Sequence, residues 1–508
     1  MKRADMLSSL EAGEDREWDL IVIGGGATGL GVAVDSASRG FRTVLLEQHD
    51  FAKGTSSRST KLVHGGVRYL QQGNIKLVTE ALHERGILRR NAPHLVKDQS
   101  FIVPNYKWWE GPYYGIGLKV YDWMAGSLGL GTSRILSKEE TLELAPTLDA
   151  DGLRGGVLYH DGQFDDARLA VSLARTAAEQ GALVLNYCRV EGLLKDKEGM
   201  VTGLLMREGM HGSQHRLRAK VVVNATGVFT DSVLQMDEPG SESVIAPSQG
   251  VHIVLDHSFL PGEAAILVPH TDDGRVLFAV PWHGRIIVGT TDTPVSTVSE
   301  EPTALPEEID FILRQIGRYL VKPPGRKDIL SVFAGLRPLV KGSSKKTAEL
   351  SRDHLITVSA SGLITVAGGK WTTYRRMAED TVNVAIGRTG LPDRECVTNH
   401  LLIHGWDGSD KLAAEKIAGE DPSLNKPLHA GLPYTLAEIA LAAREESCMT
   451  VEDALSRRTR MLLLDARAAM QAAPAVAALL AKELGRDEAW QRQQIADFQE
   501  LAKGYLAE

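Results

Sequence analysis

The 508-residue chain has little cysteine, no long apolar run and no basic excess, and each shortage closes off a class of protein. Its three cysteines, Cys188, Cys396 and Cys448, stand far apart and form no C-x-x-C. That argues against a disulfide framework or a zinc centre, so no metal is expected, and for a reducing compartment. No stretch approaches the roughly 18 apolar residues that a spanning helix needs. The formal net charge of −8 recruits no nucleic acid, so an anionic ligand would have to be drawn in by a local cluster of cations. Lys2 and Arg3 are followed by Glu11, Glu14 and Asp15 where an apolar signal core would lie, so neither a secretory nor a mitochondrial address is expected. Low-complexity tracts and repeats are absent too. At 43% hydrophobic content the chain can bury a large core and form two or three domains.

What is present begins with Leu20-Ile-Val-Ile-Gly24-Gly-Gly26-Ala27-Thr28-Gly29, then Gly40 and Thr43-Val-Leu-Leu-Glu47. The apolar run predicts a buried parallel strand. Gly24 permits a tight turn, Gly26 lets backbone approach a pyrophosphate, and Gly29 lets the next helix pack closely. The helix N-terminus then faces phosphate. Glu47 closes the second strand, where its carboxylate can accept from both ribose hydroxyls and repels a 2′-phosphate. These features together predict dinucleotide binding.

Two further strands run into small-residue turns, Val221-Val-Val-Asn224-Ala225-Thr226-Gly227 and Leu363-Ile-Thr-Val-Ala367-Gly368-Gly369-Lys370-Trp371-Thr372-Thr373-Tyr374. Between them and the first lies Gly54-Thr55-Ser56-Ser57-Arg58-Ser59-Thr60-Lys61-Leu62-Val63-His64-Gly65-Gly66-Val67-Arg68-Tyr69-Leu70, dense in hydroxyls, glycines and cations. Three strand-to-glycine junctions imply one extended cofactor.

These strings resemble the FAD-dependent glycerol-3-phosphate dehydrogenases, within the glycine and D-amino-acid oxidase group of flavoproteins. The resemblance rests on the fingerprint, the Thr55–Leu70 string, Phe164-Asp165-Asp166-Ala-Arg168, Asn224-Ala-Thr-Gly227, Gly250-Val-His252, Gly289-Thr-Thr-Asp292, Gly335-Leu-Arg337-Pro338 and Gly368-Gly-Lys-Trp-Thr-Thr-Tyr-Arg375, with Arg457-Arg458-Thr459 near the C-terminus. His-Gly-Gly-Val-Arg-Tyr and Gly-Gly-Lys-x-Thr-Thr-Tyr-Arg are specific to that family; the fingerprint and the Asn-Ala-Thr-Gly turn occur in many flavoproteins. The resemblance implies an α/β chain with a Rossmann-like doubly wound FAD-binding domain, an antiparallel-sheet substrate domain and a C-terminal α-helical domain. It implies FAD as cofactor, held by Gly24, Gly26, Ala27, Thr28, Gly29 and Glu47; by Thr55, Ser56, Ser57, Ser59, Thr60, Leu62, His64, Gly65 and Gly66; by Ala225, Thr226 and Gly227; and by Gly335, Gly369, Lys370, Trp371 and Thr372.

The residue pattern divides the chain into an oxidoreductase region over 18–395 and a helical region over 396–508. Within the first, a discontinuous cofactor domain covers about 18–100, 150–235 and 350–390, and the substrate domain lies mainly over 240–345. Leu183-Val-Leu resumes the parallel sheet, and Val276–Trp282 with Arg285–Gly289 reads as a hairpin around His283-Gly284. Capping-box signatures at Thr435-x-x-Glu438 and Thr450-x-x-Asp453 announce helices, with a linker expected over 405–433.

The implied substrate is glycerol 3-phosphate, oxidised to dihydroxyacetone phosphate by hydride transfer from C2 to the flavin. A phosphate dianion calls for cations, and Arg68, Arg337 and Lys370 lie in the most family-specific strings, with Tyr69 and Thr372 beside them. Arg337 precedes a proline, which biases it to extended backbone, and its planar fork suits two phosphate oxygens. Lys370 sits where a strand enters a helix, whose N-terminal partial positive charge would also favour an anionic reduced flavin. The base that takes the hydroxyl proton is His252 or His64, with His252 preferred. Arg68, Arg337 and Lys370 join it as the catalytic set. Asp165, Asp166 and Arg168 read as a helix cap with a buried ion pair.

The resemblance implies a membrane quinone as electron acceptor. Competing readings are an oxygen-reducing glycerol-3-phosphate oxidase, an amine or amino-acid oxidase of the same fold, and a non-catalytic flavin-binding protein. Trp108-Trp109-Glu-Gly-Pro-Tyr113-Tyr114, then Ile116, Val120, Trp123, Met124 and Leu128, forms an apolar stripe at helical spacing. The stripe is expected either to meet a lipid surface or to pack on its own domain. A cytoplasmic protein, peripheral to the inner face of the cell membrane, is the expected setting; a homodimer stays open.

Overall fold

The computed structural model describes residues 1–13, 16–66, 74–341 and 354–507. Two large sheets, a two-stranded hairpin and a helical region make up the described residues. In the first sheet the strands Ile364–Gly368, Gln214–Asn224, Glu17–Ile23, Thr43–Leu46 and Leu183–Leu185 lie side by side and parallel, with His354–Val358 antiparallel at one edge. Cys188–Lys195 and Val201–Glu208 extend the N-terminal half of Gln214–Asn224 as an antiparallel pair. Leu20, Ile21, Val22 and Ile23 are all buried, as a central strand covered on both faces requires. Helices Ala27–Ser38, Asp166–Glu179 and Tyr374–Thr389 cover this sheet, and Leu30, Leu173 and Val382 join Leu20 and Val22 in one core.

The second sheet is mostly antiparallel. Its order runs Thr293–Pro294, Ile245–Asp256, Arg285–Gly289, Leu277–Trp282, Ala265–Val268, Val96–Asn105, Gly155–Phe164 and Leu62–Val63, with Ile329–Val340 also paired to Ile245–Asp256. It therefore takes in Val96–Asn105 and Gly155–Phe164, which the sequence division assigned largely to the cofactor part, and is wider than 240–345. The hairpin at His283-Gly284 forms with both turn residues at positive φ, 47° and 71°, which matches the twist of the flanking strands.

In the C-terminal region helices Leu436–Glu445, Ala466–Leu484 and Glu488–Lys503 surround a π-helical turn, Asp453–Arg458. Both capping signatures operate: Thr435 and Glu438 form a capping box, and Thr450 and Asp453 each bond the other's backbone N–H. The stretch expected to be a linker instead holds helix Ser409–Glu420 and the strand Pro427–His429, because Ile417, Leu424 and Leu432 are buried against the helices that follow. Val254, Trp282, Ile287 and Phe333 of the second sheet share that core, so the helical region packs on the sheet rather than hanging from it.

Candidate functional site

The glycines of the first junction are fixed by space as well as by conformation. Gly24 has φ +109°, and a Cβ on it would lie 2.6 Å from the Ala225 carbonyl oxygen; one on Gly29 would lie 1.9 Å from the Gly24 oxygen. Helix Ala27–Ser38 has a glycine, Gly26, at its N-cap and so no cap bond of its own, leaving N–H groups of its first turn to meet an anion. Ser56 Oγ accepts from Ala27 N at 2.9 Å and so ties the hydroxyl-rich loop to this helix.

Glu47 ends its strand beside Gly25. Its two carboxylate oxygens accept from Gly25 N (2.7 Å) and His49 N (2.8 Å). Each oxygen retains a lone pair for a ribose hydroxyl. Burial raises its pKa, against those two backbone bonds.

At the second junction the buried Asn224 side chain braces the turn, accepting from Thr226 Oγ1 at 2.7 Å and donating to the Thr230 carbonyl. At the third, Gly368 and Gly369 both take φ +75°, and a short 3-10 turn, Trp371–Thr373, leads into helix Tyr374–Thr389. Trp371 Nε1 donates to the Ser56 carbonyl (3.0 Å), and Thr372 Oγ1 accepts from His64 N (3.2 Å), so the loop and the third junction are stitched together.

These junctions open onto a cavity of about 310 Å³ lined by Gly24, Gly26, Ala27, Thr28, Glu47, Thr55, Ser56 and Ala225–Gly227, together with Gly368–Trp371. A second cavity, of about 190 Å³, shares Thr55, Pro338 and Gly368–Trp371 with it and adds Ser59, Thr60, Leu62, His64, His252, Gly335, Arg337 and Thr372. The two adjoin along these shared residues. Ser57, Gly29, Gly65 and Gly66, also expected at the cofactor, line neither cavity. Arg68 and Tyr69 lie outside the described residues. Sequence reasoning missed Gln48, His49, Cys188–Val190 and Glu300, which also line the first cavity. Residues just past the parallel strand ends, such as Cys188 after Leu183–Leu185, were findable by the rule that ligands bind outside the carboxyl ends of such strands.

His252 lies on strand Ile245–Asp256 with Val251 and Ile253 turned into the opposite core. Gly289 stands across from it on one side and Phe333 on the other, and its ring stacks on Phe333 with centroids 4.8 Å apart. Its Nε2 is 2.9 Å from Thr60 Oγ1. Burial, then Lys61 and Arg337, hold its pKa well below the usual histidine value, so it is neutral at neutral pH.

Arg337 is held by the protein itself. Its Nη1 donates to Gln249 O and Asp292 Oδ1, and its Nη2 to Thr290 Oγ1 and Thr291 O, at 2.9 to 3.3 Å. The fork expected to grip two phosphate oxygens is thus engaged in fixing the Thr290–Asp292 turn while its charge borders the second cavity. Lys370 lies on the wall common to both cavities.

Asp165 and Asp166 answer to the structural reading: Asp165 caps helix Asp166–Glu179 by accepting from Arg168 N, and the fully buried Asp166 pairs with Lys61 (2.7 Å) and Arg460 (2.9 Å). The stripe divides: Ile116, Val120 and Trp123 face outward from helix Glu110–Ala125, Trp123 being 83% exposed, while Met124 packs against Val78, Leu82, Tyr121 and Ala125.

Adjoining cavities lined by three glycine junctions fit an extended dinucleotide, and similarity to known proteins settles which. Residues 19–375 match the model of the FAD dependent oxidoreductase family, and 363–491 match the C-terminal domain of alpha-glycerophosphate oxidase. The chain is 39% identical to the mitochondrial glycerol-3-phosphate dehydrogenase of Schizosaccharomyces pombe, covering 96% of this chain and 87% of the relative. It is 41% identical to the human mitochondrial glycerol-3-phosphate dehydrogenase, over 96% of this chain and 73% of that protein. The chain belongs to the FAD-dependent glycerol-3-phosphate dehydrogenase family. A solved structure of the Bacillus halodurans glycerol-3-phosphate dehydrogenase complexed with FAD superposes with a TM-score of 0.79 at 29% identity, covering 99% of this chain and 98% of that one. The L-alpha-glycerophosphate oxidase of Mycoplasma pneumoniae shares the fold, at a TM-score of 0.59 and 18% identity over 76% of this chain. Family membership makes FAD the cofactor, and the glycine-capped helix start, the side-chain-free glycine turns and the adjoining cavities are what such a group needs.

Proposed function

We propose that the protein oxidises glycerol 3-phosphate to dihydroxyacetone phosphate and passes the electrons to a membrane quinone. The observation that carries this reading is the joining of the two cavities, with the cofactor junctions along one and His252, Arg337 and Lys370 at the other. Bound FAD supplies the two-electron acceptor for the hydride that leaves C2. The chain's own part is to bind, orient and deprotonate. Arg337 and Lys370, with Arg68 and Tyr69 from the adjoining segment and the Thr372 hydroxyl, are assigned to the phosphate and the neighbouring hydroxyls. His252, kept neutral, accepts the C2 hydroxyl proton as the hydride departs. The substrate thus gives up one proton and one hydride and becomes a ketone.

Delivery of electrons into lipid needs a docking surface. Trp108, Tyr113, Ile116, Val120 and Trp123 are exposed together, flanked by the exposed cations Lys107, Lys119 and Arg134. Amphipathic aromatics with nearby positive charge suit an anionic membrane surface. No helix among the described residues is long and apolar enough to cross a membrane. Docking at the inner, cytoplasmic face of the cell membrane is part of the proposal.

The test is a reoxidation experiment. Flavin reduced by glycerol 3-phosphate under anaerobic conditions is expected to be reoxidised quickly by a soluble quinone analogue and slowly by oxygen. Fast peroxide formation without quinone would make the protein an oxidase instead.

A further inference from the structure

We infer that Arg460, in the C-terminal helical region, is a positioning residue for the reacting site: it locks the turn Ser57–Lys61 so that Thr60 holds His252. This rests on the oxidation proposed above.

Two residues at the contact adopt a backbone that non-glycine residues seldom take, Lys61 at φ +63° and Arg460 at φ +62°. Such outliers persist only where the surroundings over-determine them. Here Arg460 Nη2 donates both to the Ser57 carbonyl and to Asp166 Oδ1, each at 2.9 Å. Lys61 Nζ donates to the same carbonyl and to Asp166 Oδ2, each at 2.7 Å. Asp166 Oδ2 also accepts from Ser59 N and Ser59 Oγ, and Ser59 Oγ in turn accepts from Lys61 N. Every residue flanking Thr60 is therefore tied to one buried carboxylate, while the Thr60 hydroxyl itself turns to His252.

One part of the hold, the Arg460 guanidinium, comes from outside the oxidoreductase part. Arg460 follows the π-helical turn Asp453–Arg458, a feature frequent at functional sites, and is 1% exposed. A region that served only as ballast for the core would need no guanidinium threaded through to the Ser57 carbonyl. Arg460→Lys keeps the charge but loses the planar fork, in which Nη1 donates to the Ser456 carbonyl and so fixes Nη2 against Ser57 and Asp166.

The experiment mixes the FAD-loaded full chain with glycerol 3-phosphate anaerobically and reads the saturating rate of flavin reduction and the half-saturating concentration. Arg460→Lys is expected to lower the saturating rate about ten- to a hundred-fold, with half-saturation changed by no more than about two-fold. Arg444→Ala, which removes an ion pair to Glu483 elsewhere in the helical region, should leave the rate per bound flavin unchanged. In a Thr60→Val background Arg460→Lys should add little, because both act through one contact. An unchanged saturating rate, an equal loss in Arg444→Ala, or additive losses in the double variant would overturn the inference. Should Arg460→Lys fail to retain FAD, Ser59→Ala removes one donor to Asp166 with both charges still paired. It must slow reduction, and an undiminished rate overturns the inference. If the wild-type flavin is not reduced by glycerol 3-phosphate at all, the functional reading falls and the inference falls with it.

Discussion

Asp50→Asn should weaken the junction between the cofactor fold and the C-terminal helices more than any surface change can. Asp50 is fully buried, accepting from Arg457 Nε (2.6 Å), Arg458 Nη1 (2.8 Å) and Nη2 (3.0 Å), and Asn186 Nδ2 (3.2 Å). Breaking a buried ion pair by removing one partner costs about 3–5 kcal/mol, because the other charge stays buried. Glu446, Glu452 and Asp453 still compensate the two guanidinium groups, which favours the lower end, about 3 kcal/mol. Burial alone would raise the Asp50 pKa, but Arg458 and Arg457 outweigh it and hold the carboxyl well below its usual range. A depressed folded pKa means that this stabilisation is complete above the unfolded value of about 3.9 and is lost only as pH falls through the folded one. The gap between wild type and Asp50→Asn should therefore stay constant between about pH 5 and pH 8. Urea unfolding at a fixed FAD concentration, followed by circular dichroism, measures it. A loss below about 1 kcal/mol, the range of exposed pairs, would refute the reasoning. So would a gap that shrinks steadily from pH 8 to pH 5.

Gly29→Ala should abolish FAD retention, since its Cβ would lie 1.9 Å from the Gly24 oxygen and backbone there cannot yield; full flavin occupancy in the purified variant would contradict this. Glu47→Lys should also weaken FAD binding, by losing the acceptors for Gly25 N and His49 N and placing a cation beside the ribose position; flavin release on dilution reads the change. Arg337→Ala should lower kcat/KM for glycerol 3-phosphate about ten- to a hundred-fold, the worth of one charged hydrogen bond, and affect glycerol much less. Equal losses on both substrates would assign Arg337 to holding the Thr290–Asp292 turn alone. Trp123→Glu should reduce sedimentation with anionic vesicles while leaving soluble-quinone turnover and melting unchanged, because the side chain is 83% exposed; undiminished sedimentation would remove this stripe from the membrane surface.

The parts of the molecule legible in sequence are those where local sterics leave one solution. The fingerprint glycines are of this kind, and so are the two positive-φ residues of the His283-Gly284 hairpin and the Thr435–Glu438 box. Strands whose partners are distant were harder. Val96–Asn105 and Gly155–Phe164 pair with each other across two intervening helices, Glu110–Ala125 and Lys138–Leu144, and nothing local says which sheet they join. Helix Arg3–Glu11 escaped notice because its anchor is remote: the buried Arg3 bonds Glu208 and Asn186. For the site, residue types in glycine-rich strings pointed to His252, Arg337 and Lys370, and the structure brings all three to one cavity. The prior engagement of the Arg337 fork was invisible, since Gln249 lies on one strand and Thr290–Asp292 in the turn between two others. Equally hidden was Arg460, whose partners Ser57 and Asp166 lie hundreds of residues away.

The central claim is that a hydride leaves C2 of glycerol 3-phosphate for bound FAD while the chain takes the hydroxyl proton. Anaerobic rapid mixing of the FAD-loaded protein with glycerol 3-phosphate carrying deuterium at C2, against the unlabelled compound, tests it most directly. The account predicts that both bleach the flavin and that the deuterated substrate does so several-fold more slowly, with deuterium at C1 having no such effect. A flavin that stays oxidised with either compound, or that bleaches at one rate whatever the label at C2, would contradict it.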